Sequence, residues 1–204
     1  MDHPPASCQG QLIEDNLRFI SSQAIDGPPL PQDDGAAAHL PRSPLPAVEL
    51  PSTEGGRLAL NDLVTRTVVF VYPSIGGIDD ALLEEWTAIP GARGCTPEAC
   101  GFRDQAASFR SVGTDVLGLS GQPAKQQREA VERLQLPYPL LSDERLQLAA
   151  ALGLPTFEFH GKAYFKRVTL IVCEARIEAA LYPVFPPDKA ADQALAWLAE
   201  NASS

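Results

Sequence analysis

The sequence predicts an α/β fold, a sandwich of helices around one central sheet. Three observations carry this. Short runs rich in β-branched and aromatic residues recur along the chain. Segments with helical spacing alternate with them. The length, 204 residues at 45% hydrophobic and 21% charged, suits one globular domain with an appendage.

Residues 1–43 form an N-terminal extension, read as flexible or loosely docked. Prolines crowd it at positions 4, 5, 28, 29, 31 and 41, and a GAAA patch follows. Within it, QLIEDNLRFI has the spacing of one short amphipathic helix, and Cys8 is read as a spare thiol. The main domain spans residues 44–204. PAVELPSTEGGRLALNDL reads as a strand, a Gly-Gly turn and a second short strand. VVFVY is a continuous apolar run, the mark of a strand buried on both faces. DVLGLS is another such strand, AKQQREAVERL a helix and PLL a short strand. SDERLQLAAALG reads as a helix with Ser142 as N-cap and Gly153 as C-cap. TFEFHGKAYFKRVTLIV reads as strand, turn at His160–Gly161, and strand; RIEAALYPV is one more strand. DKAADQALAWLAEN is a terminal amphipathic helix capped by Asp188.

Charge narrows the function. A net charge of −10 repels phosphate backbones and anionic lipid, so nucleic acid and membrane are not expected partners. No apolar run reaches the ~20 residues that span a bilayer. MDHPPASCQG lacks the basic and apolar stretches of a secretory signal, so a cytoplasmic location is expected. In that compartment thiols stay reduced, and a close cysteine pair points to catalysis or metal. Zinc needs about four ligands in paired motifs. The chain offers one close pair, Cys95 and Cys100, with Cys8, Cys173 and the three histidines (His3, His39, His160) far from it in sequence.

The pair sits in GARGCTPEACGFRD. Thr96-Pro97 has the form of a helix start, with Thr96 as N-cap, and the helix is expected over about 97–110. Cys95 then lies at a helix N-terminus, where the dipole and unpaired backbone N–H groups favour a thiolate and lower its pKa. Cys100 lies inside the helix. In an intact α-helix, residues five apart have Cα atoms about 8.6 Å from each other. A disulfide requires less than about 7 Å. The pair is therefore apart when the helix is formed and within reach once it unwinds, which Gly94 and Gly101 ease. A nucleophilic thiolate and a second thiol are the minimum kit for reducing a peroxide, through a sulfenic acid that condenses to a disulfide.

From Gly94 to Asp104 the residues follow the "GCTxxAC.FRD" signature of the peroxiredoxin Q, or bacterioferritin-comigratory protein, branch of the peroxiredoxins, and the chain resembles that family over about 44–202. VVFVYP, GLS, LPYPLLSD and RVTLIV add to the match. The resemblance implies a thioredoxin-like fold with a central mixed β-sheet flanked by helices. It implies Cys95 as peroxidatic and Cys100 as resolving cysteine, joined in an intramolecular disulfide. Arg167 becomes the residue that stabilises thiolate and peroxide, with Thr96, Glu98 and Arg103 in support. The substrate class is hydrogen peroxide or organic hydroperoxides. The reductant is a thioredoxin-like or glutaredoxin-like protein. No metal, haem or flavin is implied, and the assembly is a monomer or homodimer.

One departure is visible. The family places Pro-x-x-x-Thr/Ser-x-x-Cys before the nucleophile; here Ala88 and Ala92 stand at those positions. After Pro73 comes an insertion, SIGGIDDALLEEWTAIPGARG, with an acidic amphipathic helix expected in IDDALLEEWTAI. Thr87, Pro90 or backbone groups are the candidates for the vacated role, and Trp86 is expected to pack the inserted helix. Two further readings remain open at this point: a redox sensor using the same disulfide, and a non-catalytic thioredoxin-fold interaction protein.

Overall fold

Five strands, all with strongly β-forming runs, build the central sheet in the computed structural model, which describes residues 30–202. They are β3 (Thr67–Val71), β4 (Asp115–Ser120), β5 (Leu140–Ser142), β8 (Val168–Cys173) and β9 (Arg176–Leu181). Their order is β5-β4-β3-β8-β9. β3, β4 and β5 run parallel, while β8 and β9 are antiparallel additions, so the sheet is mixed as expected. A small ribbon, β1 (Glu49–Pro51) with β2 (Arg57–Ala59), turns at the predicted Gly-Gly. A hairpin, β6 (Thr156–Phe159) with β7 (Lys162–Phe165), turns at His160 and Gly161, both at positive φ as a type I′ turn demands.

β3 shows why the fold holds. Its side chains alternate with period two. Val68 and Phe70, continued by Tyr72, face one apolar layer; Val69 and Val71 face the other. The first layer is covered by α2 (Cys95–Asp104), α3 (Ala106–Ser111), α4 (Ala124–Leu134) and α6 (Ala190–Glu200). Here Phe70 stacks on Phe102 with centroids 4.6 Å apart. The second layer is closed by α5 (Gln147–Leu152) and by Leu40 and Leu45 from the N-terminal side.

Several expectations are corrected. Residues 30–43 are not loosely docked: Leu40 is fully buried, His39 Nε2 lies 2.9 Å from the Leu152 carbonyl, and Arg42 N–H donates to Ile177 O. QLIEDNLRFI and Cys8 lie outside the described residues. The helix expected as one piece over 97–110 begins at Cys95 and breaks at Gln105 into α2 and α3. Ser142 does not cap α5: the N-cap is Leu146, and the Asp143 carboxylate upstream of it accepts from the N–H groups of Gln147 and Ala149. Asp188 lies in a 3-10 turn before α6 and does not cap it. The run after the hairpin turn is two strands, because the chain breaks at Lys166–Arg167 between β7 and β8. The inserted helix shrinks to a 3-10 turn, Asp80–Leu82, and α1, Leu83–Thr87.

Candidate active site

Sheet register assembles the site. Val71 at the end of β3 pairs with Val168 at the start of β8. The chain leaving β3 toward Cys95 and the residue entering β8, Arg167, therefore meet at one end of the sheet. Gly94 sets the final approach. It is the N-cap of α2 at φ +97°, a left-handed conformation that suits glycine, and a Cβ there would sit 2.6 Å from Pro187 Cγ. The cap is Gly94, not Thr96, and Cys95 is the first helical residue.

Cys95 carries a free thiol and is 3% exposed. Arg167, 4% exposed, donates from Nη2 to Cys95 Sγ at 3.3 Å. The same nitrogen donates to the carbonyls of Gly91 (3.2 Å) and Arg93 (3.0 Å). Its Nη1 donates to Glu98 Oε2 in a buried ion pair. One guanidinium thus ties the sulfur, the carboxylate and the end of the insertion, a task for a rigid planar fork.

The electrostatics of the thiol differ from expectation. Burial pushes the Cys95 thiol above its ordinary value. The Arg167 guanidinium and the backbone N–H of Ser74 pull it down, while the Glu98 carboxylate pushes it further up. Burial prevails, because removing a thiolate from water costs more than one shared cation returns. Burial also raises the Glu98 carboxyl to about 7, against the opposing pull of Arg167.

Backbone groups stand beside the sulfur, on the side where the side-chain hydroxyl is missing. The thiol donates to the Ala92 carbonyl at 3.8 Å, and Ser74 N–H points at the sulfur. Thr87 is occupied within its own helix, donating to Leu83 O at 2.6 Å. No local sequence signal marks Ser74, since the fold alone brings it to Cys95.

The two ends of the insertion meet this cluster, through Ser74 and through Gly91, Ala92 and Arg93. At its root, the Gln122 side chain accepts from Ile75 N–H at 2.8 Å and donates to Ile75 O at 3.4 Å. At its centre Trp86 is buried among Phe157, Phe159 and Tyr164, with centroids 5.5, 5.2 and 4.9 Å away. Trp86 packs the inserted helix, as expected.

Cys100 is buried one and a half turns along α2 from Cys95, so the intact helix keeps the two apart. Cys100 is disulfide-bonded, and neither Cys95 nor Cys173 is its partner, as both are free. Arg103 is not brought to the sulfur cluster: it donates to Leu134 O and Asp104, anchoring α2 to the end of α4. Thr96 is half-buried in the first turn of α2.

A thiol at a helix N-terminus beside a buried arginine, on a thioredoxin-like sheet, defines a thiol-based redox enzyme. Comparison with known proteins gives the family. The chain matches the AhpC/TSA family over residues 86–177. It is 32% identical to a putative peroxiredoxin, bcp, of Coxiella burnetii, over 68% of this chain and 84% of that one. Against a putative peroxiredoxin of Mycobacterium tuberculosis it is 35% identical, over 74% of this chain and 90% of the other. The crystal structure of the peroxidoxin BcpB from M. tuberculosis superposes with a TM-score of 0.64 and 30% identity, over 79% of this chain and 98% of that one. Xanthomonas campestris peroxiredoxin Q shares the fold at TM-score 0.61 and 24% identity, covering 78% and 96% of the two chains. The chain belongs to the peroxiredoxin family, in its peroxiredoxin Q/bacterioferritin-comigratory branch, and is a thiol-dependent peroxidase.

Proposed function

We propose that this chain reduces hydrogen peroxide or organic hydroperoxides at Cys95 and resolves the product through Cys100. The observation that carries the reading is the Arg167 Nη2 to Cys95 Sγ contact at 3.3 Å, inside a water-poor site at the first turn of α2. The Cys95 sulfur attacks the terminal oxygen of the peroxide. The O–O bond breaks and leaves Cys95 sulfenic acid and water or an alcohol. Arg167 keeps its charge throughout and stabilises both the attacking thiolate and the oxygen that leaves. Glu98 holds Arg167 in place. Arg103 anchors the far half of α2, and Thr96 belongs to the turn that must open.

Resolution needs Cys100 as a thiol and needs α2 to unwind. The Cys100 sulfur then attacks the sulfenic sulfur, water leaves, and the Cys95–Cys100 disulfide forms. A thioredoxin-like or glutaredoxin-like dithiol restores both thiols by exchange. The unwound turn presents the disulfide to that reductant. No metal or organic cofactor enters these steps. The site needs no second subunit, so a monomer or homodimer suffices.

The test is peroxide consumption by pre-reduced protein, coupled to a thioredoxin system, with wild type and Cys95→Ser side by side. Turnover in wild type and none in Cys95→Ser is expected, with Cys173→Ser unaffected. Turnover retained in Cys95→Ser overturns the assignment. The burial of Cys95 favours a second reading, a redox sensor. Its mark would be reversible disulfide formation without sustained turnover.

A further inference from the structure

Three ionisable side chains share one enclosed space: Cys95, Glu98 and Arg167, with Glu98 at 0% exposure. Cys95 and Glu98 are three residues apart on α2 and lie on the same face. Arg167 joins them from the start of β8, bonded to both. Arg167 brings one positive charge. A thiolate and a carboxylate together would leave one buried anion uncompensated, which is strongly unfavourable. The balanced arrangements are a thiol with a carboxylate, or a thiolate with a carboxylic acid. They differ in the position of a single proton.

The hydrogen-bond inventory points the same way. Glu98 Oε2 accepts from Arg167, whereas Glu98 Oε1 is buried with no partner among the described residues. Arg167 Nε is likewise buried and unmatched. An orphaned acceptor at zero exposure is unfavourable unless a proton or a ligand meets it. The other titratable groups facing Glu98 are Tyr72, next to β3, and Tyr138, before β5. Burial holds both phenols protonated. Tyr72 bonds Gln127 and Tyr138 donates to Ala99 O, so neither competes for this proton. Burial raises both Cys95 and Glu98, and the single Arg167 cation, which pulls each of them down, offsets neither shift. With alanines at 88 and 92, no side-chain hydroxyl at those positions relays a proton.

We propose that Glu98 carries the proton of the peroxidase step: its unpartnered oxygen takes the proton from the Cys95 thiol and returns it to the oxygen that leaves the peroxide. This rests on the reading of Cys95 as the peroxidatic cysteine. The step balances without an outside acid. The thiol proton moves to the Glu98 carboxylate. The thiolate attacks the terminal hydroxyl oxygen of ROOH, an S–O bond forms, and the O–O bond breaks. Its electron pair departs on RO⁻, which takes the proton from Glu98. The products are Cys95 sulfenic acid, ROH and the Glu98 carboxylate. Sulfur loses two electrons and the peroxide gains two.

Glu98→Gln tests this. It keeps the shape and a bond to Arg167 and cannot carry the proton. Pre-reduced protein is mixed with hydroperoxides whose leaving alcohols differ in acidity, and Cys95 oxidation is followed by tryptophan fluorescence. Cys95 ionisation is followed by thiolate absorbance. Wild type should show a rate nearly independent of leaving-group acidity. Glu98→Gln should hold more thiolate at neutral pH, because Arg167 is no longer shared with an anion. It should nevertheless react about 100-fold more slowly or worse, the size expected for a lost general acid–base. The deficit should grow as the leaving alcohol becomes a weaker acid. A rate matching wild type, a uniform deficit across the series, or a fall in thiolate would each overturn the proposal. Glu98→Asp keeps a carboxyl and should keep the flat dependence at reduced rate; a steep dependence there also overturns it. A wild type that fails to react with any peroxide would instead overturn the peroxidatic assignment, a result separable from a reactive wild type matched by its variant.

Discussion

Arg167 has contacts that a lysine cannot reproduce. It donates to Glu98, Gly91, Arg93 and Cys95 from two fixed nitrogens. Arg167→Lys keeps one charge and loses that fork. The expected loss in the rate of Cys95 oxidation is about 100-fold or more, the range of a removed transition-state donor. Far-UV circular dichroism should report an intact fold. Glu98 makes a separate prediction about stability. Its carboxyl holds its proton more tightly folded, at about 7, than at the ordinary 4.5. A raised acid contributes stability fully below the unfolded value and loses it as pH rises through the folded one. The stability of wild type relative to Glu98→Gln should therefore fall between pH 4.5 and about 7, as read by denaturant melts across that window. These residues were legible in the sequence as a motif. The direction of the Cys95 shift was not, because the helix terminus is local in sequence while burial is set by the whole fold.

At the scale of elements, α2 and the insertion are coupled through one end of the sheet. Gly94 sits at positive φ against Pro187, so Gly94→Ala is strained in conformation and in space. It should cost about 1–3 kcal/mol in a urea melt. The opening of α2 is the second expectation here. Amide exchange across residues 95–105 should be slow in reduced protein and fast once Cys95 and Cys100 are joined, since the first turn has few internal bonds to lose. Equal protection in both states would contradict the unwinding. The insertion gives a third. Trp86→Ala removes the centre of the aromatic cluster and should cost about 3–5 kcal/mol, while Cys95 becomes alkylated faster by a small electrophile. Unchanged alkylation would show that the cluster does not guard the thiol. The shortness of α1 and the break between β7 and β8 were not legible, because IDDALLEEWTAI and KAYFKRVTLIV each read as one continuous element. The break matters, since it turns Arg167 into the site.

At the scale of the molecule, the sheet order follows from the runs that the sequence displays. VVFVY, DVLGLS and VTLIV are apolar on both faces and occupy the three central positions. The N-terminal side is the main discrepancy. Proline-rich composition suggested loose docking, yet Leu40 is fully buried against the second apolar layer. Composition reports propensity and carries no information on a single anchoring side chain. Leu40→Ala should cost about 2–5 kcal/mol, as a core truncation does. A value within about 0.5 kcal/mol, normal for a surface site, would contradict this docking.

The central claim, that peroxide is reduced at Cys95 and resolved by Cys100, is tested most directly by peptide mass spectrometry of pre-reduced protein after one equivalent of hydrogen peroxide. The account predicts a peptide linked between Cys95 and Cys100, with Cys173 still alkylatable. In Cys100→Ser it predicts a Cys95 sulfenic acid trapped by dimedone. Cys95 still fully alkylatable, or linked to any other cysteine, would contradict it.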